Sequence, residues 1–162
     1  MSYEKAISNI IRIYCEIVLA LEEIYQDGDS AAYGWKSKFC SLNFGFIIHG
    51  YLDILKVLQK CSLKFQKKAA FLSELDLSFQ ICINELTIIK NNENLGANFE
   101  EFINKKIDSK TLSWKNIKFN LSFLNPFTKE KEKKNALNFE KEKAKKLLVA
   151  LIDNILVSIR DN

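Results

Sequence analysis

Histidine and cysteine have the most chemical scope of the residues in this chain, and both are scarce. His49 is the single histidine, and the cysteines are Cys15, Cys40, Cys61 and Cys82. A catalytic histidine activates a nucleophile that lies within hydrogen-bond reach. Cys40 and Cys61 are two or more turns from His49 on the helix that the sequence predicts. We therefore expect His49 to be a structural histidine rather than a catalytic base.

The same residues do not have the spacing of a metal site. No two cysteines are close enough in sequence for a zinc knuckle or a redox C-x-x-C motif. A di-iron site in a helical bundle needs a Glu-x-x-His pair on each of two helices, and one histidine cannot supply it. We expect no metal and no cofactor, and we interpret the cysteines as reduced thiols of a cytoplasmic protein.

Other catalytic signatures are missing from the sequence as well. Asp27-Gly28-Asp29 begins like a calcium-binding loop, but its twelfth position is Lys38 instead of glutamate. The chain has no P-loop, no G-x-G-x-x-G motif and no G-x-S-x-G motif. The sequence therefore predicts a protein that is not an enzyme.

The net charge of +4 is concentrated in one stretch. Residues 129–146 hold eight lysines and four glutamates. Arginine, which forms bidentate contacts with phosphates and guanine edges, occurs only as Arg12 and Arg160. This scarcity argues against nucleic acid as the partner. The longest uninterrupted apolar runs, residues 17–21 and 147–152, are too short for a membrane span, and we expect no secretory signal.

Long helical patterns dominate the chain, which has one proline, Pro126, and five glycines in 162 residues. A seam of apolar residues with 4-3 spacing runs along the first predicted helix, and its members are Tyr3, Ile7, Ile10, Tyr14, Ile17, Leu21 and Ile24. Similar stripes predict helices over about 31–61, 63–90 and 135–160, and a short helix over 99–107. The sequence predicts an all-α fold, a bundle of four long helices with one or two short extra elements, in a single domain spanning 1–162.

Residues 112–134 break this pattern. Polar and apolar residues alternate from Asn116 to Phe123, which is typical of a strand and predicts a short extended segment near 116–124. Three alternatives are open for it: a hairpin with residues 111–114, pairing with another chain, or a buried helix. We interpret 112–134 as an irregular connector whose second part is rich in lysine.

Function is expected in this connector, because local rules of sequence and structure tend to fail at functional sites. Its candidate binding residues are Trp114, Phe119, Phe123, Phe127, Lys129, Lys131, Lys133 and Lys134. The sequence predicts a non-enzymatic intracellular module that binds another protein by shape, of the immunity, inhibitor, adaptor or chaperone type.

Other functions and partners are left open. One alternative is a peripheral protein that docks this segment on an anionic membrane surface. A third is an enzyme or nuclease with a site assembled from scattered residues, and a homodimer is open too. The aromatic residues can equally be core residues that close one end of the bundle.

Overall fold

The structure is a computed structural model that describes residues 3–66, 71–92, 95–120 and 130–160. It confirms the predicted all-α fold. The helices are α1 (Tyr3–Arg12), α2 (Tyr14–Gln26), α3 (Ser30–Phe39), α4 (Leu42–Phe65), α5 (Leu72–Asn91), α6 (Ala97–Glu101) and α7 (Glu130–Arg160), and a π-helical turn (Phe102–Lys106) continues α6. An antiparallel hairpin consists of β1 (Ser113–Trp114) and β2 (Ile117–Lys118).

Helix α4 is the central element of the fold. It packs against α1, α5, α6 and α7. A helix that is apolar on nearly all sides is stable only when neighbours cover it, and α4 has this character along most of its length. Its buried residues are Leu42, Gly45, Phe46, Ile48, His49, Gly50, Leu52, Asp53, Ile54, Leu55 and Val57.

Glycines in α4 allow its neighbours to approach closely. A Cβ atom on Gly50 would lie 2.4 Å from Leu148 of α7 and 3.0 Å from Phe99 of α6. A Cβ atom on Gly45 would lie 2.6 Å from the ring of Phe102.

The first predicted helix is divided into α1 and α2 at Ile13, and the hairpin lies against this break. The ammonium of Lys115, at the tip of the hairpin, donates a hydrogen bond of 3.0 Å to the carbonyl oxygen of Arg12. The thiol of Cys15 donates to the carbonyl oxygen of Lys115 at 3.2 Å. A segment one hundred residues away therefore contacts the helix at this break, which a local pattern cannot predict.

The second predicted helix is likewise divided, into α3 and α4 at Cys40 and Ser41. The backbone N–H of Asn120 donates to the carbonyl oxygen of Cys40 at 2.7 Å, and Ser41 and Asn120 form a parallel bridge. Asn120, which follows β2, thus lies at the break between α3 and α4. Lys115, at the tip of the hairpin, lies in the same way at the break between α1 and α2. The prediction of four long helices is therefore corrected. The first predicted helix is α1 and α2, and the second is α3 and α4.

The hairpin is the alternative that the structure supports for the non-helical segment. Trp114 pairs with Ile117 and Ser113 with Lys118. Lys115 and Asn116 have φ values of 49° and 67°, which suit the two central residues of a type I′ turn. Residues 121–124, the rest of the predicted extended segment, lie outside the described residues.

A carboxylate of α4 caps helix α6 from a distance in sequence. Asp53 accepts hydrogen bonds from the backbone N–H groups of Asn98, at 3.1 Å, and Phe99, at 3.0 Å. These groups are in the first turn of α6, where the helix itself offers them no acceptor. Residue 96 must be glycine, because a Cβ atom there would lie 2.4 Å from Cγ of Asp53.

We expect Asp53→Ala to lower the free energy of unfolding by about 3 kcal/mol, because it leaves buried N–H groups without an acceptor. Chemical denaturation of the purified variant measures this change. Asp76→Ala is the matched control, since Asp76 is an exposed carboxylate on α5, and it should change stability by no more than about 0.5 kcal/mol. Equal effects of the two substitutions would contradict the capping role.

Candidate binding surface

Two of the predicted binding residues, Trp114 and Phe119, are core side chains. The ring of Trp114 lies 4.7 Å from that of Tyr14 and 5.4 Å from that of Phe102, measured between centroids. The ring of Phe119 lies 6.1 Å from that of Phe102. Both side chains are buried, so neither can contact a partner in this conformation. Trp114 and Phe119 instead fit the alternative interpretation, in which the aromatic residues are core residues that close one end of the bundle.

The other predicted binding residues are divided between two parts of the chain. Phe123, Phe127 and Lys129 lie outside the described residues. Lys131 and Lys134 are exposed at the start of α7. Lys133 is half-buried and donates a hydrogen bond of 3.0 Å to the carbonyl oxygen of Lys110. A binding role for these lysines stays a prediction.

His49 lies in an aromatic cluster inside the bundle, where its side chain is fully buried. Its Nδ1 atom is 2.8 Å from the carbonyl oxygen of Gly45, and its ring stacks on Phe102 at 4.2 Å. Burial lowers the pKa of His49 to about 4. The ring is therefore neutral at pH 7, and Nδ1 carries the proton that it donates to Gly45. Its Nε2 atom is buried without a hydrogen-bond partner among the described residues.

The structure therefore places His49 where a substrate cannot reach it. An unpaired buried acceptor costs about 1–3 kcal/mol, which the stacking and packing of the ring must offset. Within the described ranges, no group of three or more histidine, cysteine or acidic residues is arranged to hold a metal ion.

A different part of the molecule exposes large apolar side chains, around the C-terminal half of α4. A groove of about 650 Å³ runs between α1 and α4. Leu55, Leu58 and Leu63 form its apolar side, and Tyr3 lies at its edge. Tyr3 is 81% exposed and Leu63 is 53% exposed. The groove is open to solvent, and its three leucines are interspersed with the polar residues Gln59, Ser62 and Gln66.

A second groove, of about 320 Å³, lies on the other side of Leu63, between α4 and α5. Ile81 and two cysteines line it. Nearby, the rings of Phe65 and Phe79 are in contact at 4.5 Å and remain exposed. We call the region formed by Tyr3, Leu63, Phe65, Phe79 and Ile81 the Leu63 surface.

Charges of both signs border the Leu63 surface. Glu4 and Lys5 line the first groove. Lys60 and Glu85 form an ion pair of 3.1 Å across the second groove, beside Lys64. An apolar centre within a rim of mixed charge is typical of a protein–protein interface.

No protein-family model matches this chain, and no curated protein or solved structure matches it either. Among the described helices, none is long and apolar enough to cross a membrane.

Sequence reasoning missed the Leu63 surface because it extended one helix too far. A helix from Leu63 to Lys90 would place Phe65, Leu72 and Phe79 on the same buried stripe as Cys82. In the structure α4 continues to Phe65 and α5 begins only at Leu72, and these three side chains are exposed. The sequence of residues 66–70, Gln-Lys-Lys-Ala-Ala, consists of good helix formers and gave no signal that a helix ends before them.

The depressed pKa of His49 predicts a loss of stability in acid. The unfolded chain binds a proton at His49 below about pH 6.5, whereas the folded chain binds it only below about pH 4. The resulting contribution to stability is complete above pH 6.5 and falls by roughly 3 kcal/mol as the pH drops through this window.

The measurement compares the wild type with His49→Gln, which stays neutral, by denaturant unfolding at several pH values. We expect the stability of the wild type to decline relative to the variant between pH 6.5 and 4. Parallel curves over this interval would show that His49 titrates normally and is accessible to water.

Proposed function

We propose that this protein is a non-enzymatic module that binds a partner protein on the Leu63 surface. The observation that carries the proposal is the exposure of large apolar side chains where two interhelical grooves meet. Covering such side chains removes apolar area from water, which is the main favourable contribution in protein association. The cysteines have no pairing motif in the sequence, which supports a role in a reducing compartment such as the cytoplasm.

The shape of the groove between α1 and α4 favours a helical segment as the occupant. An amphipathic helix can place its apolar face along Leu55, Leu58 and Leu63 while its polar face stays in water. Glu4 and Lys5 at the edge of the groove offer charges of both signs to such a helix. This supports a shape-selective partner, as in inhibitor, immunity, adaptor and chaperone proteins.

A membrane surface is supported less well. Anionic lipids attract surfaces with an excess of basic residues, whereas acidic and basic residues alternate around the Leu63 surface. Trp114 and Phe119, two of the four aromatic residues in the membrane alternative, are core residues. An enzymatic site built from scattered residues stays an untested hypothesis.

Photo-crosslinking in the native host tests the proposal. A photoreactive amino acid replaces Leu63 in one variant and Val157 of α7 in the other. Val157 is the matched control, because it is 54% exposed and Leu63 is 53% exposed. We expect the Leu63 variant to crosslink to one protein, at an amphipathic helical segment that mass spectrometry identifies.

Substitution provides the second part of this test. Leu63→Asp should abolish the crosslinked complex while changing the free energy of unfolding by less than about 0.5 kcal/mol, since the side chain is exposed. Equal crosslinking from both positions, crosslinks to lipid alone, or crosslinks only to a second copy of the chain would each overturn the proposal.

A further inference from the structure

Two cysteines that are distant in sequence meet beneath the groove between α4 and α5. Cys61 belongs to α4 and Cys82 to α5, and both line this groove. The thiol of Cys61 donates to the carbonyl oxygen of Ser78 at 3.8 Å. In an α-helix that oxygen also accepts the backbone N–H four residues later, which here belongs to Cys82. The sulfur of Cys61 therefore lies beside the backbone of Cys82.

The side chains of the two cysteines interact as well. A hydrogen bond with Cys61 contributes, after burial, to the raised pKa of Cys82, which is about 12. Burial is the main cause of this shift, and Cys82 is therefore a neutral thiol at pH 7.

The two thiols differ in access to solvent, and this difference sets the order in which they react. Cys61 is partly exposed, whereas Cys82 is buried. A soluble oxidant in the groove therefore reaches Cys61 first. Cys82 is already in place to react with the product. The other two cysteines, Cys15 and Cys40, lie on α2 and at the break between α3 and α4.

We propose that Cys61 and Cys82 are an oxidisable dithiol that forms a disulfide between α4 and α5 when the protein meets a peroxide. The Cys61 thiol first releases its proton to water, and its thiolate attacks a peroxide oxygen. The O–O bond breaks to give sulfenic acid and, when hydrogen peroxide is the oxidant, a hydroxide that takes up the released proton as water. The Cys82 sulfur then attacks the sulfenic sulfur, its proton joins the departing hydroxide, and the S–S bond forms with release of water. Two thiols lose two electrons, and the peroxide gains them. This inference does not depend on the proposed function.

The disulfide should form without unfolding and should stabilise the bundle. It closes a chain segment of roughly 20 residues, which reduces the entropy of the unfolded state and raises the melting temperature by about 5–10 °C. The bond would also fix the relative position of the two helices that form the groove.

Hydrogen peroxide treatment of the folded, reduced protein tests this proposal. We expect the number of reactive thiols after denaturation to fall from four to two, with a peptide that links Cys61 to Cys82 in non-reducing mass spectrometry. Dithiothreitol should restore all the thiols and the original melting temperature. Cys61→Ser should abolish both the linked peptide and the rise in melting temperature, whereas Cys15→Ser should leave both unchanged.

Three outcomes would overturn the proposal. One is a disulfide that includes Cys15 or Cys40, within one chain or between two chains. Another is the accumulation of sulfinic acid on Cys61 with Cys82 still a free thiol. The third is a failure of peroxide to change the thiol count at concentrations that oxidise a free cysteine peptide. Circular dichroism of each variant verifies that it is folded, so that a negative result reflects the chemistry of the pair.

Discussion

A carboxylate on the central helix α4 accepts hydrogen bonds from the first turn of α6, which lies 45 residues further along the chain. Asp53 accepts from the backbone of Asn98 and Phe99, and Gly96 leaves room for its side chain. This contact fixes where α6 begins and which way it faces. The rings of Phe99 and Phe102 are then fully buried against α4. Asp53 is thus a polar contact that specifies how apolar residues pack, since apolar burial alone has little directional preference.

The position of Phe102 connects this cap to the rest of the fold. Phe102 packs against Gly45 and stacks on His49, and Trp114 and Phe119 pack around its edges. Trp114 belongs to the hairpin whose tip and following residues bond to the two breaks in the N-terminal helices. Contacts therefore connect Asp53, through the aromatic cluster around Phe102, to the two helix breaks. The same cluster accounts for the neutral, inaccessible state of His49.

The sequence was sufficient for what depends on local periodicity and insufficient for what depends on distant contacts. The apolar stripes predicted the helices, and the alternation after Asn116 predicted a non-helical segment that is a hairpin in its described part. The breaks at Ile13 and Cys40 were not predictable from local periodicity, because the residues that bond at or beside them, Lys115 and Asn120, are distant in sequence. The pair of thiols was missed for the same reason, since it arises only when α4 and α5 are side by side. The Leu63 surface was missed because the helix predicted over 63–90 joined the end of α4 to α5. Phe123, Phe127 and Lys129 were predicted from the sequence as binding residues, and they lie outside the described residues.

Amide hydrogen exchange measured by NMR tests the central role of Asp53 most directly. In the wild type, the backbone amides of Asn98 and Phe99 should be protected to nearly the same degree as that of Ile54 in the core of α4. In Asp53→Asn, protection of these two amides should fall about tenfold further than that of Ile54, because they lose a charged acceptor. Protection at Asn98 and Phe99 that is unaffected by this substitution, or that is already at the level of an exposed loop in the wild type, would contradict the account.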